Sequence, residues 1–165
     1  MEEKEIVLLE DTLITSKTDL KGDIIYANED FLKYAGYKMN EILYKPHNIV
    51  RHKDMPKTVF KCLWDTITQG KEIFAFVKNK AKNGNFYWVF ANVTPSFDAN
   101  GRIINYYSVR RYPNRKALPI IENVYKTLLE KEKEGGMKLG VETLMQIVSS
   151  YNMGYNQLIL SLQQS

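Results

Sequence analysis

Residues 72–112 read EIFAFVKNKAKNGNFYWVFANVTPSFDANGRIINYYSVRRY. Three runs within it, Glu72–Lys80, Asn85–Pro95 and Arg102–Tyr112, are rich in β-branched and aromatic residues. Those types suit a pleated, half-buried surface. Asn83-Gly84 and Asn100-Gly101 separate the runs, and Asn-Gly takes the left-handed dihedrals of a tight hairpin turn at little cost. The stretch predicts three consecutive antiparallel strands.

Working back toward the N-terminus, Leu13–Thr18 alternates as a strand does, Asp19-Leu20-Lys21-Gly22 is a turn, and Asp23–Ala27 is a second strand. Asn28 is a good N-cap for a short helix to about Ala35, ended by Gly36, and Met39–Leu43 adds one helical turn. Residues 46–64, PHNIVRHKDMPKTVFKCLW, hold both histidines, the only cysteine and one of the two tryptophans. Asp54 is the expected N-cap of the next helix, with Pro56 in its first turn. Val59, Phe60, Leu63, Trp64 and Ile67 give that helix one apolar face, and Gly70 stops it. Two strands, several short helices, one longer helix and three strands imply an α+β fold: a five-stranded antiparallel sheet with helices clustered on one face. Arg51, His52, Lys53 and Asp54 crowd charge at the helix entrance, a natural place for an anion or the polar edge of a planar cofactor.

The C-terminal part reads differently. Leu118, Ile121, Tyr125 and Leu128 mark an amphipathic helix, and Lys131–Gly136 breaks it, with Gly135-Gly136 as a hinge. Met137, Val141, Leu144, Val148, Tyr151, Tyr155, Leu158 and Leu162 then recur at steps of 4, 3, 4, 3, 4, 3 and 4, a heptad seam. No charged residue occurs from Thr143 to Ser165. A solvated helix usually carries charge, so this seam is expected to be covered, either by a partner or a second copy through Val141, Leu144, Val148, Tyr151, Tyr155 and Leu158, or by the chain's own sheet. The expected divisions are an N-terminal cap at 1–11, either loose or a short helix, a sheet-and-helix domain at 12–116, an amphipathic helix at 117–134 and a heptad helix at 135–165.

Composition narrows the function classes. The 165 residues are 44% hydrophobic with a formal net charge of +4, and the positive residues are spread out, which argues against a nucleic-acid arm. One cysteine excludes an internal disulfide and fits a reducing compartment. The start, MEEKEIV, is acidic and unlike a signal or transit peptide, and no apolar run approaches the ~20 residues needed to cross a bilayer. The expectation is a cytoplasmic protein with no direct membrane insertion. His47 and His52 are five apart with no Cys/His cluster, so no metal site is expected. No phosphate loop or Gly-x-Gly-x-x-Gly is present, and nothing makes a case for an enzyme.

The order of elements, with the tracts DLKGDIIYANEDFLKYAGY, KPHNIVRHKDMPKTVFKCLW, VKNKAKNGNFYWVFANVTP and YYSVRR, resembles the flavin-binding PAS domain of bacterial aerotaxis receptors over residues 12–112. That resemblance implies a PAS fold, non-covalent FAD and redox sensing for energy taxis. It also implies a membrane-bound chemoreceptor partner with HAMP and signalling domains, the chain standing as the separate PAS subunit of a bipartite receptor. Carried over position by position, it implies cofactor contacts at Asn28, Arg51, His52, Asp54, Trp64, Asn79, Trp88 and Arg110. Ile73 departs from the family, which has Trp there, and Phe74 or Phe76 is a candidate replacement. Read without the resemblance, Asn28 is a helix cap, Asn79 an edge residue, Arg51 an ion-pair partner of Asp54, and both tryptophans are core. A ligand-free interaction module of the same fold, a haem sensor and a small flavin reductase are the alternatives. The long helix lacks an axial histidine for haem, no nicotinamide site is visible, and Cys62 lacks the Asn-Cys-Arg-Phe photoadduct motif of blue-light relatives and reads as a small core residue.

Overall fold

A computed structural model describes residues 2–165. Strands β1 (Leu13–Thr18), β2 (Ile24–Ala27), β3 (Ile73–Lys80), β4 (Phe86–Phe97) and β5 (Ile103–Arg111) form one antiparallel sheet in the order β2-β1-β5-β4-β3. Helices α1 (Glu29–Ala35) and α2 (Met39–Ile42), a 3-10 turn at His47–Val50 and α3 (Lys57–Ile67) fill the link between β2 and β3. A long helical element, α4 (Leu118–Ser150), and a short helix, α5 (Tyr155–Gln164), follow the sheet. The α+β sheet-and-helix architecture is the one the sequence predicts, with strand bounds within two residues.

The chain's local chemistry explains most of it. Asn28 caps α1 through Oδ1, which accepts from Phe31 N–H at 3.0 Å. The same oxygen accepts from Thr15 N–H at 3.0 Å, and Nδ2 donates to Leu13 C=O at 2.8 Å. Asn28 therefore ties α1 to β1. Gly36 closes α1 in the left-handed region at φ 76°. β4 is buried on both faces from Tyr87 to Ala91, so it reads as a continuous apolar run rather than an alternation.

Strand parity divides the sheet. Ser16, Val77, Asn79, Ala91, Val93, Tyr106, Ser108 and Arg110 share the face toward α3. Phe74, Phe76, Trp88 and Phe90 share the other, and α4 covers them: Trp88 stacks on Tyr125 at 6.2 Å, and the Tyr125 hydroxyl donates to Phe76 C=O at 2.6 Å.

Four expectations change. Asp54 does not cap α3. Pro56 holds the cap position without a side-chain bond, and Asp54 pairs with Lys78 Nζ at 2.8 Å. The free amides of α3 instead reach Glu132 on α4. The N-terminal segment is extended, neither loose nor helical, and is bridged in parallel at Glu5 to Phe86, with Leu8 buried. The break in α4 falls at Gly136 alone, at φ 70° and ψ −160°, a region open essentially only to glycine. Finally, 135–165 is not one helix. The chain turns at 151–154, with Asn152 at φ 56° and Gly154 opening α5. The seam folds back on its own chain, where Leu144, Val148 and Leu158 are buried, Val141 and Tyr155 are half-buried and Tyr151 is exposed. Asn156 fastens α5 to the edge of β3, accepting from Phe74 N–H at 3.0 Å and donating to Glu72 C=O at 2.9 Å.

Replacing Asn28 with Ala removes a helix cap and two strand contacts together. Urea unfolding should show a loss of about 1–3 kcal/mol with an unchanged denaturant slope.

Candidate ligand cavity

Between α3 and the inner face of the sheet lies a narrow cavity of about 100 Å³. Its apolar walls come from Phe60, Leu63, Trp64 and Ile67 on α3 and from Val77, Ala91 and Val93 on the sheet. The spacing of the α3 residues places them on one helical face, and parity places the sheet residues opposite. Trp64 meets Tyr106 edge-on at 5.6 Å, closing one end.

The other end is polar. Arg110 is 7% exposed, and its Nη2 donates to His47 Nε2 at 2.8 Å. Arginine only donates, so that imidazole nitrogen accepts and the ring proton sits on Nδ1. The Ser16 hydroxyl lies 3.0 Å from the same nitrogen. Burial, with Arg110 and Arg51 nearby, holds the His47 pKa well below its usual 6.5, so the ring is neutral. Burial pulls Arg110 down to about 10, which leaves it cationic at neutral pH. The Arg51 guanidinium lies over the Phe60 ring at 3.6 Å.

Several buried polar atoms at this end have no hydrogen-bond partner among the described residues: Arg51 Nε, Asn79 Nδ2, Ser108 Oγ, and Arg110 Nε and Nη1. Buried donors are nearly always paired in native proteins. A group of them around an apolar slot fits a planar ligand with acceptors along one edge.

Of the sequence-predicted residues, Arg51, Trp64, Asn79 and Arg110 line this cavity, and Asn28, His52, Asp54 and Trp88 do not. Asn28 is spent on its cap. Trp88 lies across the sheet under α4. Backbone 51–52 is extended, so His52 points away from Arg51. His52 Nε2 contacts Glu3 at 2.8 Å, and its Nδ1 accepts from Asp54 N–H at 3.0 Å. Glu3, His52 and Asp54 lie close enough to hold a cation between them, but Lys78 already pairs with Asp54. Ile73 is buried against Ile67 and Tyr106, while Phe74 and Phe76 face away, so neither phenylalanine replaces the absent tryptophan. Sequence reading passed over His47, Ser16 and Ser108. The serines were findable by counting strand parity from Arg110, whereas His47 sits in a turn with no periodic signal.

A model of the PAS fold matches residues 24–110. The chain belongs to the PAS family. This PAS chain is 40% identical to the aerotaxis receptor of Escherichia coli (strain K12) over 121 residues, which is 73% of the chain and 24% of that receptor. It is 26% identical to the nitrogen fixation regulatory protein of Klebsiella pneumoniae over 96 residues, 58% of the chain and 19% of that protein. It thus spans about a quarter or less of each of these two relatives. Among solved structures, the dark form of the blue-light photoreceptor Aureochrome1 LOV superposes with a TM-score of 0.58 at 25% identity, covering 67% of this chain and 82% of that one. Most of the cavity lining therefore lies within the matched PAS region, Ser16, Thr18 and Gly22 precede it, and the helical elements after residue 117 lie outside the family match.

Because His47 is held neutral, the unfolded chain binds more protons than the PAS domain does below the usual histidine pKa. Stability should be flat above about pH 6.5 and fall on acidification, by at most about 1.4 kcal/mol per pH unit. The depressed carboxylates of Glu3, Glu41 and Asp54 add their own loss only at lower pH, near the carboxylate range. In a urea-midpoint series, His47→Asn should flatten the segment between pH 6.5 and 5 and leave the lower one.

Proposed function

We propose that this chain is a sensor that binds FAD in the cavity and reports its redox state to a membrane-bound chemoreceptor partner with HAMP and signalling domains, acting in the cytoplasm in energy taxis. The observation that carries the reading is the set of unpaired donors on Asn79, Arg110 and Arg51 at the polar end of an apolar slot. The similarity to an aerotaxis receptor supports the redox and taxis part, and the likeness to a blue-light receptor domain supports a flavin-sized ligand.

A bound flavin supplies reversible electron uptake and gains negative charge when reduced. Arg110, cationic and desolvated, favours the more negative of two ligand states. Its anchoring to neutral His47 through Nη2 leaves Nε and Nη1 to donate elsewhere. Asn79 adds one more donor, and Phe60, Trp64 and Tyr106 exclude water from the slot. Arg51 and Asn48 line both the cavity and a shallow outer groove that carries Lys53, Lys57 and Lys80 beside one carboxylate, Glu3. A phosphate-bearing tail leaving the cavity would meet four cationic side chains there, which favours a dinucleotide over riboflavin. The Ser16 hydroxyl lies beside His47 Nε2, but that nitrogen already accepts from Arg110 and is not free to act as a base, so the role we propose is sensing rather than catalysis.

Protein purified without added cofactor should show flavin absorption bands and release FAD on acid treatment. Arg110→Gln and Asn79→Leu should each raise the FAD Kd by about 10- to 100-fold, the cost of losing a hydrogen bond involving a charged or buried group. A folded, colourless protein that FAD cannot colour would instead leave a ligand-free interaction module.

A further inference from the structure

Helix α3 has two working faces. Phe60, Leu63, Trp64 and Ile67 wall the cavity. On the opposite side Thr58 and Val59 are buried under the helices after the sheet. Val59 enters an apolar pocket between α4 and α5 made with Tyr125, Leu144, Val148 and Leu158. A Cβ added at Gly140 would lie 2.2 Å from Thr58 Oγ1, so only glycine permits this approach of α4 to α3.

The first turn of α3 has no local cap, because Pro56 offers no side-chain acceptor and Asp54 is committed to Lys78. Glu132 fills that role from 74 residues away. Its carboxylate accepts from Lys57 N–H at 3.2 Å, from Thr58 N–H at 2.9 Å and from the Thr58 hydroxyl at 2.7 Å. A carboxylate at a helix N-terminus also answers the positive end of the helix dipole. An 11-residue helix is too short to hold its own geometry in water.

We infer that Glu132 is a positioning residue for the cavity. By holding the first turn of α3, it sets where Phe60, Leu63 and Trp64 stand, so that docking of α4 and binding in the cavity are coupled. The coupling is reciprocal. Whatever fixes α3 from the cavity side strengthens the Glu132 contact, and whatever withdraws Glu132 loosens the cavity. The inference rests on the flavin reading only for the ligand used in one arm of its test.

The test uses the full chain in a Trp88→Phe background, so that Trp64 on the cavity wall is the sole tryptophan. Glu132→Ala is compared with the milder Glu132→Gln and with Asn156→Ala, at a residue whose side chain holds α5 to β3 and makes no hydrogen bond to α3. Trp64 emission is read without ligand, FAD affinity by titration, and amide exchange at 57–60 with and without FAD. Glu132→Ala should red-shift Trp64 emission and weaken FAD at least ~5-fold, Glu132→Gln should do so partially, and Asn156→Ala should do neither. FAD should slow exchange at Lys57 and Thr58 in the parent but not in Glu132→Ala. Equal FAD affinity and unchanged emission in Glu132→Ala would overturn the coupling and leave the flavin reading standing. The emission shift without FAD uptake by any form would overturn the flavin reading and leave the coupling. Identical effects from Asn156→Ala would reduce Glu132 to a general structural contact and overturn the inference.

Discussion

Arg110 is the constraint around which the interior is arranged. β5 lies between β1 and β4, and pairing opposite Ile14 and Ala91 turns the Arg110 side chain inward. Removing a guanidinium from water costs several kcal/mol unless donors find acceptors. The protein supplies one good acceptor, neutral His47, and the Phe31 ring at 5.7 Å. The remaining donors set the character of everything near them. Filling this end with apolar side chains would strand a charge, so small polar residues, Ser16 and Ser108, stand there, and the bulk of Trp64 and Tyr106 is kept at the far end. The cavity is thus the consequence of one buried cation on a face of the sheet that is otherwise uncharged.

The helices after the sheet answer a second need. Phe74, Phe76, Trp88 and Phe90 make the outer face of β3 and β4 too apolar to leave in water, and the first part of α4 covers them with Tyr125 and its neighbours. Beyond Gly136 the chain is redirected past the β3 edge. There Asn156 supplies the donor and acceptor that a neighbouring strand would have supplied. This wrapping accounts for much of the uncharged stretch predicted from Thr143 to Ser165, since Leu144, Val148 and Leu158 are buried within the same chain while Tyr151 stays exposed.

Much of the fold was legible because its signals are local. Asn28 and Gly36 bound α1 through capping chemistry that needs no distant partner, and the two Asn-Gly turns set the hairpins. The site was half legible. Arg51, Trp64, Asn79 and Arg110 do meet, but the motif that carries Arg51 also carries His52 and Asp54, which an extended backbone sends to the other side. Trp88 was recoverable by parity: it pairs with Lys78, one residue from Asn79, and so occupies the opposite face. Glu132 was not recoverable, because a cap delivered across 74 residues leaves no spacing to read. Nor does a heptad period betray a reversal at Asn152 that preserves its count.

These failures share a cause that bears on how the domain would transmit a change. The sheet is over-determined: each inner strand is paired on both sides, and its residues obey rules visible in the sequence. Helix α3 is under-determined. It is short, it has no cap of its own, and its position is decided jointly by side chains from the cavity and by Glu132, Gly140 and Val59 on the other side. A signal needs an element whose equilibrium both ends can bias. A sheet held on all sides offers little room for that, whereas a helix whose placement depends on two independent sets of contacts offers it directly. The part of the structure hardest to read from sequence is therefore the part best suited to carry information out of the cavity.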